Sequence, residues 1–176
     1  MLITENYRAQ QKALHDEGNY GVTAAKFAPQ VAKLIDANFV SEVLDYGAGS
    51  KLGLIRAISE GRLAQGSFKY TPYEPAVEQY AETPKPAEMV VCIDVLEHIE
   101  PDCLDAVLDD LKRVTERLGF FTVSCVPAGK VLPDGRNAHL IQEPPEWWLP
   151  KITDRFSLQT FQRSPGGFMV LVAPLE

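Results

Sequence analysis

Apolar residues recur at two different periods along this chain, and the alternation between them predicts a sheet interleaved with helices. Short apolar runs read as buried strands: Val43-Leu44, Phe68 to Tyr73, Met89 to Asp94 and Phe120 to Cys125. The nearly unbroken Met89-Val90-Val91-Cys92-Ile93 has the pattern of a central parallel strand covered on both faces. Between these runs the spacing turns helical. Leu52, Ile55, Ile58 and Leu63 predict a helix after the first strand. Leu104, Val107, Leu108, Leu111 and Val114 predict a strongly amphipathic one, opened by Pro101 and stopped by Gly119, with Asp102, Asp105, Asp109 and Lys112 mostly on its other faces.

The two ends of the chain differ in character. Over residues 1–40 a cover of two helices is expected. Thr4 suits the N-cap of one carrying Tyr7, Ala13 and Leu14, with Gly18 as its stop. Gly21 and Thr23 precede the other, in which Phe27, Val31, Leu34 and Ile35 share a face and Pro29 is tolerated in the first turn. At the far end, Phe156 to Phe161 and Phe168 to Val172 read as strands. Arg163-Ser164-Pro165-Gly166-Gly167 between them is short enough to make an antiparallel hairpin. The sum is an α/β sheet with an antiparallel C-terminal edge.

With 176 residues, 45% of them hydrophobic and 23% charged, a sizeable core and a solvated surface fit one domain over 1–176. The net charge of −7 argues against a broad nucleic-acid footprint. A local groove of Lys69, Lys85, Lys130 and Arg136 is the arrangement that would still take a phosphate, and with it a nucleotide or nucleic-acid acceptor. No apolar stretch approaches the ~20 residues of a membrane span. Met1 to Glu5 lacks secretory-signal character, so a cytoplasmic protein is expected. Cys92, Cys103 and Cys125 are odd in number and widely spaced, which suits buried reduced thiols rather than a disulfide framework or a zinc module.

The most informative segment is Val43-Leu44-Asp45-Tyr46-Gly47-Ala48-Gly49, where a buried strand meets two glycines spaced by one. Glycines there permit a sharp turn and a close approach of ligand to backbone. Two nucleotide-binding alternatives fit poorly. Gly47-Ala48-Gly49-Ser50-Lys51-Leu52-Gly53 places its third glycine one position too late for G-x-G-x-x-G, and Ser50-Lys51 inverts the order of a phosphate loop.

Taken with Tyr73-Glu74-Pro75 and Asp94-Val95-Leu96-Glu97-His98-Ile99, that segment resembles the class I S-adenosylmethionine-dependent methyltransferases over roughly Val43 to Ser124. The resemblance implies a Rossmann-like three-layer sandwich, mostly parallel, and S-adenosyl-L-methionine as cofactor. It implies that Asp45, Gly47, Ala48 and Gly49 shape the loop around the methionyl part. Glu74 would accept hydrogen bonds from both ribose hydroxyls, and Asp94 and Val95 would line the cofactor's other side. Two departures stand out. Lys51 occupies the place where the family often has a third glycine, and the span from Glu74 to Met89 is tight for the family's usual extra helix and strand, which leaves a third strand either short or absent.

Residues 126–154 follow a strand's carboxyl end, where open α/β sheets place ligands, and form the candidate acceptor region. His139, in Leu132 to Leu140, is the candidate catalytic base for an acceptor hydroxyl or amine, with a backbone-bonding histidine as the alternative. His98 either joins the site or caps the helix after it. Trp147 and Trp148 are expected to anchor the loop, one of them with acceptor contact open. Arg136 would suit an acceptor carboxylate or phosphate. Spacing reveals no compact His/Cys/Asp/Glu set, so no metal is expected. The expected activity is methyl transfer to oxygen or nitrogen of a small-molecule acceptor. A non-catalytic cofactor-binding or regulatory module is the alternative, and a nicotinamide-dinucleotide oxidoreductase the less favoured one.

Overall fold

The apolar runs form one six-stranded sheet in the computed structural model, which describes residues 1–16, 18 and 23–175. Its strands are β1 (Glu42–Tyr46), β2 (Lys69–Tyr73), β3 (Ala87–Ile93), β4 (Thr115–Ser124), β5 (Phe156–Ser164) and β6 (Gly167–Pro174). They hydrogen-bond in the order β2-β1-β3-β4-β6-β5. The first four are parallel; β6 runs antiparallel to both β4 and β5. The hairpin is therefore as expected, with β5 at the sheet's edge and β6 inserted beside β4. The helices are α1 (Glu5–Asp16), α2 (Ala28–Ala37), α3 (Gly53–Gly61), α4 (Leu104–Val114) and α5 (Pro145–Thr153).

Alternation along the strands sends neighbouring side chains to opposite faces and makes two cores. Leu44, Val90, Cys92, Phe121 and Val123 meet Leu104, Val107, Leu108 and Leu111 of α4 and Trp148 and Ile152 of α5. Val43, Met89, Val91, Ile93 and Phe120 meet Val31 and Ile35 of α2 and Leu54 and Ile58 of α3. Three layers result. The chain passes from β1 to β2 on one side, then crosses back to β3 on the other, leaving a crevice at the carboxyl ends of β1 and β3.

Helix α1 does not join either layer. Tyr7 and Leu14 pack against Leu132 and Ala138 of the loop after β4, so α1 and that loop close over the carboxyl edge together. Thr4 caps it as expected, accepting the Tyr7 N–H at 3.2 Å, and is itself held by Glu100 at 2.8 and 2.9 Å. Ala13 points to solvent, and Gln10, Gln11 and His15 take the buried face. Gly21 lies outside the described residues. Thr23 opens a 3₁₀ turn, Thr23–Phe27, and Pro29 sits in the first turn of α2.

Two expectations are corrected. Leu52 precedes α3 in a left-handed conformation (φ 50°) and Leu63 follows its end, so Leu54 and Ile58 carry its buried stripe. Gly119 lies within β4, not at a helix end. The amphipathic helix stops at Val114 and the chain enters β4 directly. A Cβ on Gly119 would stand 2.7 Å from Phe121 Cζ and from Val172 Cγ2, so glycine is there for side-chain packing. Between β2 and β3 the described residues hold a 3₁₀ turn, Glu78–Tyr80, and a proline-rich loop, with no further strand.

No helix among the described residues is long and apolar enough to cross a membrane. Cys92 and Cys103 are buried free thiols, and Cys125 is half-buried.

Trp148 is wholly buried, and its Nε1–H donates to Glu143 O at 3.1 Å, which fixes the end of the long loop onto the α4 face. Trp148→Ala is expected to lower unfolding free energy by about 3–5 kcal/mol, measured as a shift in the urea midpoint.

Candidate active site

At the carboxyl ends of β1, β2 and β3 lies a cavity of about 420 Å³, of the size that holds a small-molecule ligand. Gly47, Gly49, Glu74, Asp94, Val95 and His139 all line it. The fold thus brings together most of the residues singled out by sequence, from segments distant in the chain.

The glycine loop is built from both neighbours. Gly47 N–H and Ala48 N–H both donate to Tyr73 O, at 2.8 and 3.0 Å, which ties the loop to the tip of β2. Gly47 adopts φ +87°, and a Cβ there would lie 2.3 Å from Val95 Cγ2. Glycine is required by conformation and by contact at once. Gly49, at φ +63°, faces the cavity. Asp45 and Ala48 are buried behind the loop and do not line the cavity. Asp45 accepts the Tyr70 hydroxyl at 2.5 Å; burial, opposed by that bond and reinforced by the Glu74 charge, pushes its carboxyl up to about 7.

Glu74 stands one residue beyond β2 with its carboxylate beside the glycine loop. Oε1 accepts the Ala76 N–H at 3.2 Å, and the Gly49 N–H also favours its ionised form. Burial outweighs both and raises its pKa. His15 Nε2 from α1 lies 3.7 Å from Oε2. Burial pushes that imidazole down to about 4, so this contact is not an ion pair at neutral pH.

Across the crevice, Asp94 takes a left-handed conformation (φ 51°) at the tip of β3, held by the Thr122 hydroxyl donating to Oδ1 at 2.6 Å. The next turn carries Glu97 and His98. Glu97 is fully buried and accepts the Ser124 N–H at 2.8 Å; burial first, then the Asp94 charge, pushes it up to about 8. His98 Nδ1 donates to Ala138 O at 2.7 Å, and burial, with His139 beside it, pushes the imidazole down to about 4. Of the two readings for His98, the site reading is the one its position in the lining supports.

His139 Nδ1 donates to Val126 O at 2.6 Å, the backbone bond of the alternative reading, and this leaves Nε2 as its basic atom. Its ring meets His98 edge-on with centroids 4.6 Å apart. Sequence spacing concealed this pairing, because Glu97-His98 and His139 come from different loops. One ligand atom from each of the three lies within 4.8 Å of the others, a compact set that the spacing argument did not find.

Other candidates lie elsewhere. Trp147 packs on Trp148 under Lys151 and does not reach the cavity, so both tryptophans are anchors. Arg136 pairs with Asp134 at 2.7 Å. Lys69 pairs with Glu42 at the opposite edge of the sheet, so the basic groove does not form; Lys130 alone of its four residues lines the cavity. Unforeseen in the sequence were the residues that roof the site, Leu2 and Ile3 ahead of α1 and Tyr7, Gln11 and His15 on it, because a helix face gives no sign of whether it covers a sheet or a crevice.

No family model matches the chain, and no curated protein matches it in sequence. Solved structures match it in fold. The 1,6-didemethyltoxoflavin-N1-methyltransferase of Burkholderia thailandensis, with 1,6-didemethyltoxoflavin and S-adenosylhomocysteine bound, is 16% identical with a TM-score of 0.63, over 96% of this chain and 87% of that one. DhpI in complex with S-adenosylhomocysteine is 17% identical with a TM-score of 0.61, over 96% and 93%. Magnesium protoporphyrin IX methyltransferase of Synechocystis PCC 6803, also with S-adenosylhomocysteine, is 13% identical with a TM-score of 0.57, over 86% and 83%. The chain has the Rossmann-like fold of S-adenosylmethionine-dependent methyltransferases, with the mixed sheet and reversed C-terminal strands in place.

Because the buried Asp45 carboxyl titrates near 7 instead of near its ordinary 3.8, the folded state holds a proton that the unfolded state has lost in between. That stabilisation is full below the ordinary value and is lost as pH rises through about 7. The melting temperature is expected to fall across this range and to fall less in Asp45→Asn, as followed by circular dichroism.

Proposed function

We propose that this chain transfers a methyl group from S-adenosyl-L-methionine to an oxygen or nitrogen of a small-molecule acceptor. The observation that carries the reading is the cavity at the strand crossover, which gathers Gly47, Gly49, Glu74, Asp94 and Val95 on one ligand-sized space. Neighbours of the same fold are methyltransferases crystallised with S-adenosylhomocysteine.

The residues fit such a cofactor. Glu74, held by backbone at one oxygen and facing the cavity, is the acceptor for the two ribose hydroxyls. Gly47 and Gly49 cradle the methionyl part, with Asp94 and Val95 opposite. When bound, the cofactor supplies an activated methyl carbon on a sulfonium. Two carboxylates in the lining, those of Glu74 and Asp94, favour a cation over the pyrophosphate of a dinucleotide. For these side chains the work is alignment and exclusion of water; His139 Nε2 takes the acceptor proton where one must leave.

Because the region between β2 and β3 lacks a strand among the described residues, a module that binds the cofactor without turnover is the second reading. Calorimetry separates these classes: S-adenosylmethionine binds and a nicotinamide dinucleotide does not. Preference for the dinucleotide sinks the proposal, and binding without methyl transfer across an acceptor panel favours the module.

Glu74→Gln is expected to weaken S-adenosylhomocysteine binding about tenfold or more, since hydrogen bonds to a charged group contribute about 1.5–3 kcal/mol each. Unchanged affinity refutes the ribose assignment. His139→Ala is expected to reduce turnover about 10²-fold or more while sparing cofactor affinity; equal turnover removes His139 from the chemistry.

A further inference from the structure

The turn after β3 and the loop after β4 converge on a constellation that the cofactor reading does not use. Glu97, His98 and His139 each present a ligand atom within 4.8 Å of the other two. Each imidazole is oriented by a ring N–H donated to a backbone carbonyl, His98 to Ala138 O at 2.7 Å and His139 to Val126 O at 2.6 Å. This is how metal-ligating histidines are commonly held: the outer bond fixes tautomer and ring plane and leaves the second nitrogen with its lone pair. Both histidines line the cavity.

Glu97 supplies the second, independent observation. Its side chain is fully buried; Oε1 receives the Ser124 N–H, and Oε2 is buried with no hydrogen-bond partner among the described residues. A stranded carboxylate oxygen in the interior is costly, and such groups call for a compensating ligand. We propose that Glu97, His98 and His139 form a binding site for a divalent transition-metal cation.

Two imidazole nitrogens and one carboxylate oxygen make a donor set for Zn²⁺, Co²⁺, Mn²⁺ or Fe²⁺. Mg²⁺ and Ca²⁺ prefer oxygen ligands throughout, and Cu(I) prefers sulfur. Three protein ligands leave a position for an oxygen from the cavity side. Resting on the methyltransferase reading, this assigns the acceptor as a hydroxyl compound. A hydroxyl bound to the cation loses its proton to solvent at neutral pH. Its oxygen then forms the bond to the methyl carbon as the carbon–sulfur bond breaks, leaving the thioether and the methyl ether. In the loaded protein His139 is a ligand, and the cation does the work otherwise given to a base.

The test uses the tag-free 176-residue chain after treatment with a chelator. Titration with Co²⁺ is expected to produce visible ligand-field absorption saturating at one equivalent, displaced by Zn²⁺, with no cofactor added. Glu97→Gln and His139→Ala are each expected to weaken Zn²⁺ binding about tenfold or more in calorimetry, while circular dichroism and S-adenosylhomocysteine affinity stay at wild-type values. Absence of the cobalt spectrum in the wild-type chain overturns the site, as does unchanged Zn²⁺ affinity in both folded variants. The two readings fail separately. Metal binding without S-adenosylhomocysteine binding keeps the site and removes the methyltransferase; cofactor binding without metal does the reverse.

Discussion

The carbonyl of Tyr73 organises this site. It accepts both the Gly47 and Ala48 amides, so the loop leaving β1 is fastened to the tip of β2. From the other side, Val95 fills the space that a side chain at Gly47 would need. The loop is thereby pinned between β2 and β3 by one polar and one apolar contact. Each pin also delivers a carboxylate to the cavity, since Glu74 follows Tyr73 and Asp94 precedes Val95. The spacing of the two acids across the crevice is a consequence of how the glycine loop is held. That is why glycine at position 47 is a structural requirement before it is a functional one.

The roof depends on this frame in turn. Tyr7 donates its hydroxyl to His98 O at 2.5 Å and receives the Gln11 amide at 2.6 Å, while Glu100 holds Thr4 at the start of the same helix. The turn after β3 therefore does two jobs: one end faces the crevice and the other secures α1. A change at His98 or Glu100 is felt on both sides of the cavity.

Much of the sheet was legible because its signals are local. The run Met89 to Ile93 can only be buried on both faces, and five residues between Phe161-Gln162 and Phe168 permit only a return strand. The loop glycines and Glu74 were legible for the same reason, as strand-end residues in order. What escaped depends on contacts distant in sequence. Gly119 reads as a helix stop until Val172 and Phe121 are seen to occupy its side-chain space. Leu52 and Leu63 continue a helical period on paper, yet each flanks α3 without entering it, and a periodicity argument cannot see where hydrogen bonding ends. The convergence of His139 on Glu97-His98 has no signature at all in spacing, because it is set by the path of a long irregular loop.

Two buried carboxyls at the same edge of the sheet illustrate how differently burial can be resolved. Asp45 is answered by the Tyr70 hydroxyl and serves the loop from behind; its role is complete within the protein. Glu97 is answered at one oxygen by Ser124 N–H and, among the described residues, left unanswered at the other, beside two histidines whose Nδ1 atoms are already committed. Burial of the first is a matter of architecture. The second breaks the rule that interior polar atoms find partners, in a place where the backbone also departs from ordinary geometry at Asp94. Local violations of this kind are retained where something else compensates them, and they cluster at functional sites. The carboxylates of Glu74 and Asp94 make one field across the cavity, in which a cationic methyl donor on one side and a metal cation on the other would both be stabilised.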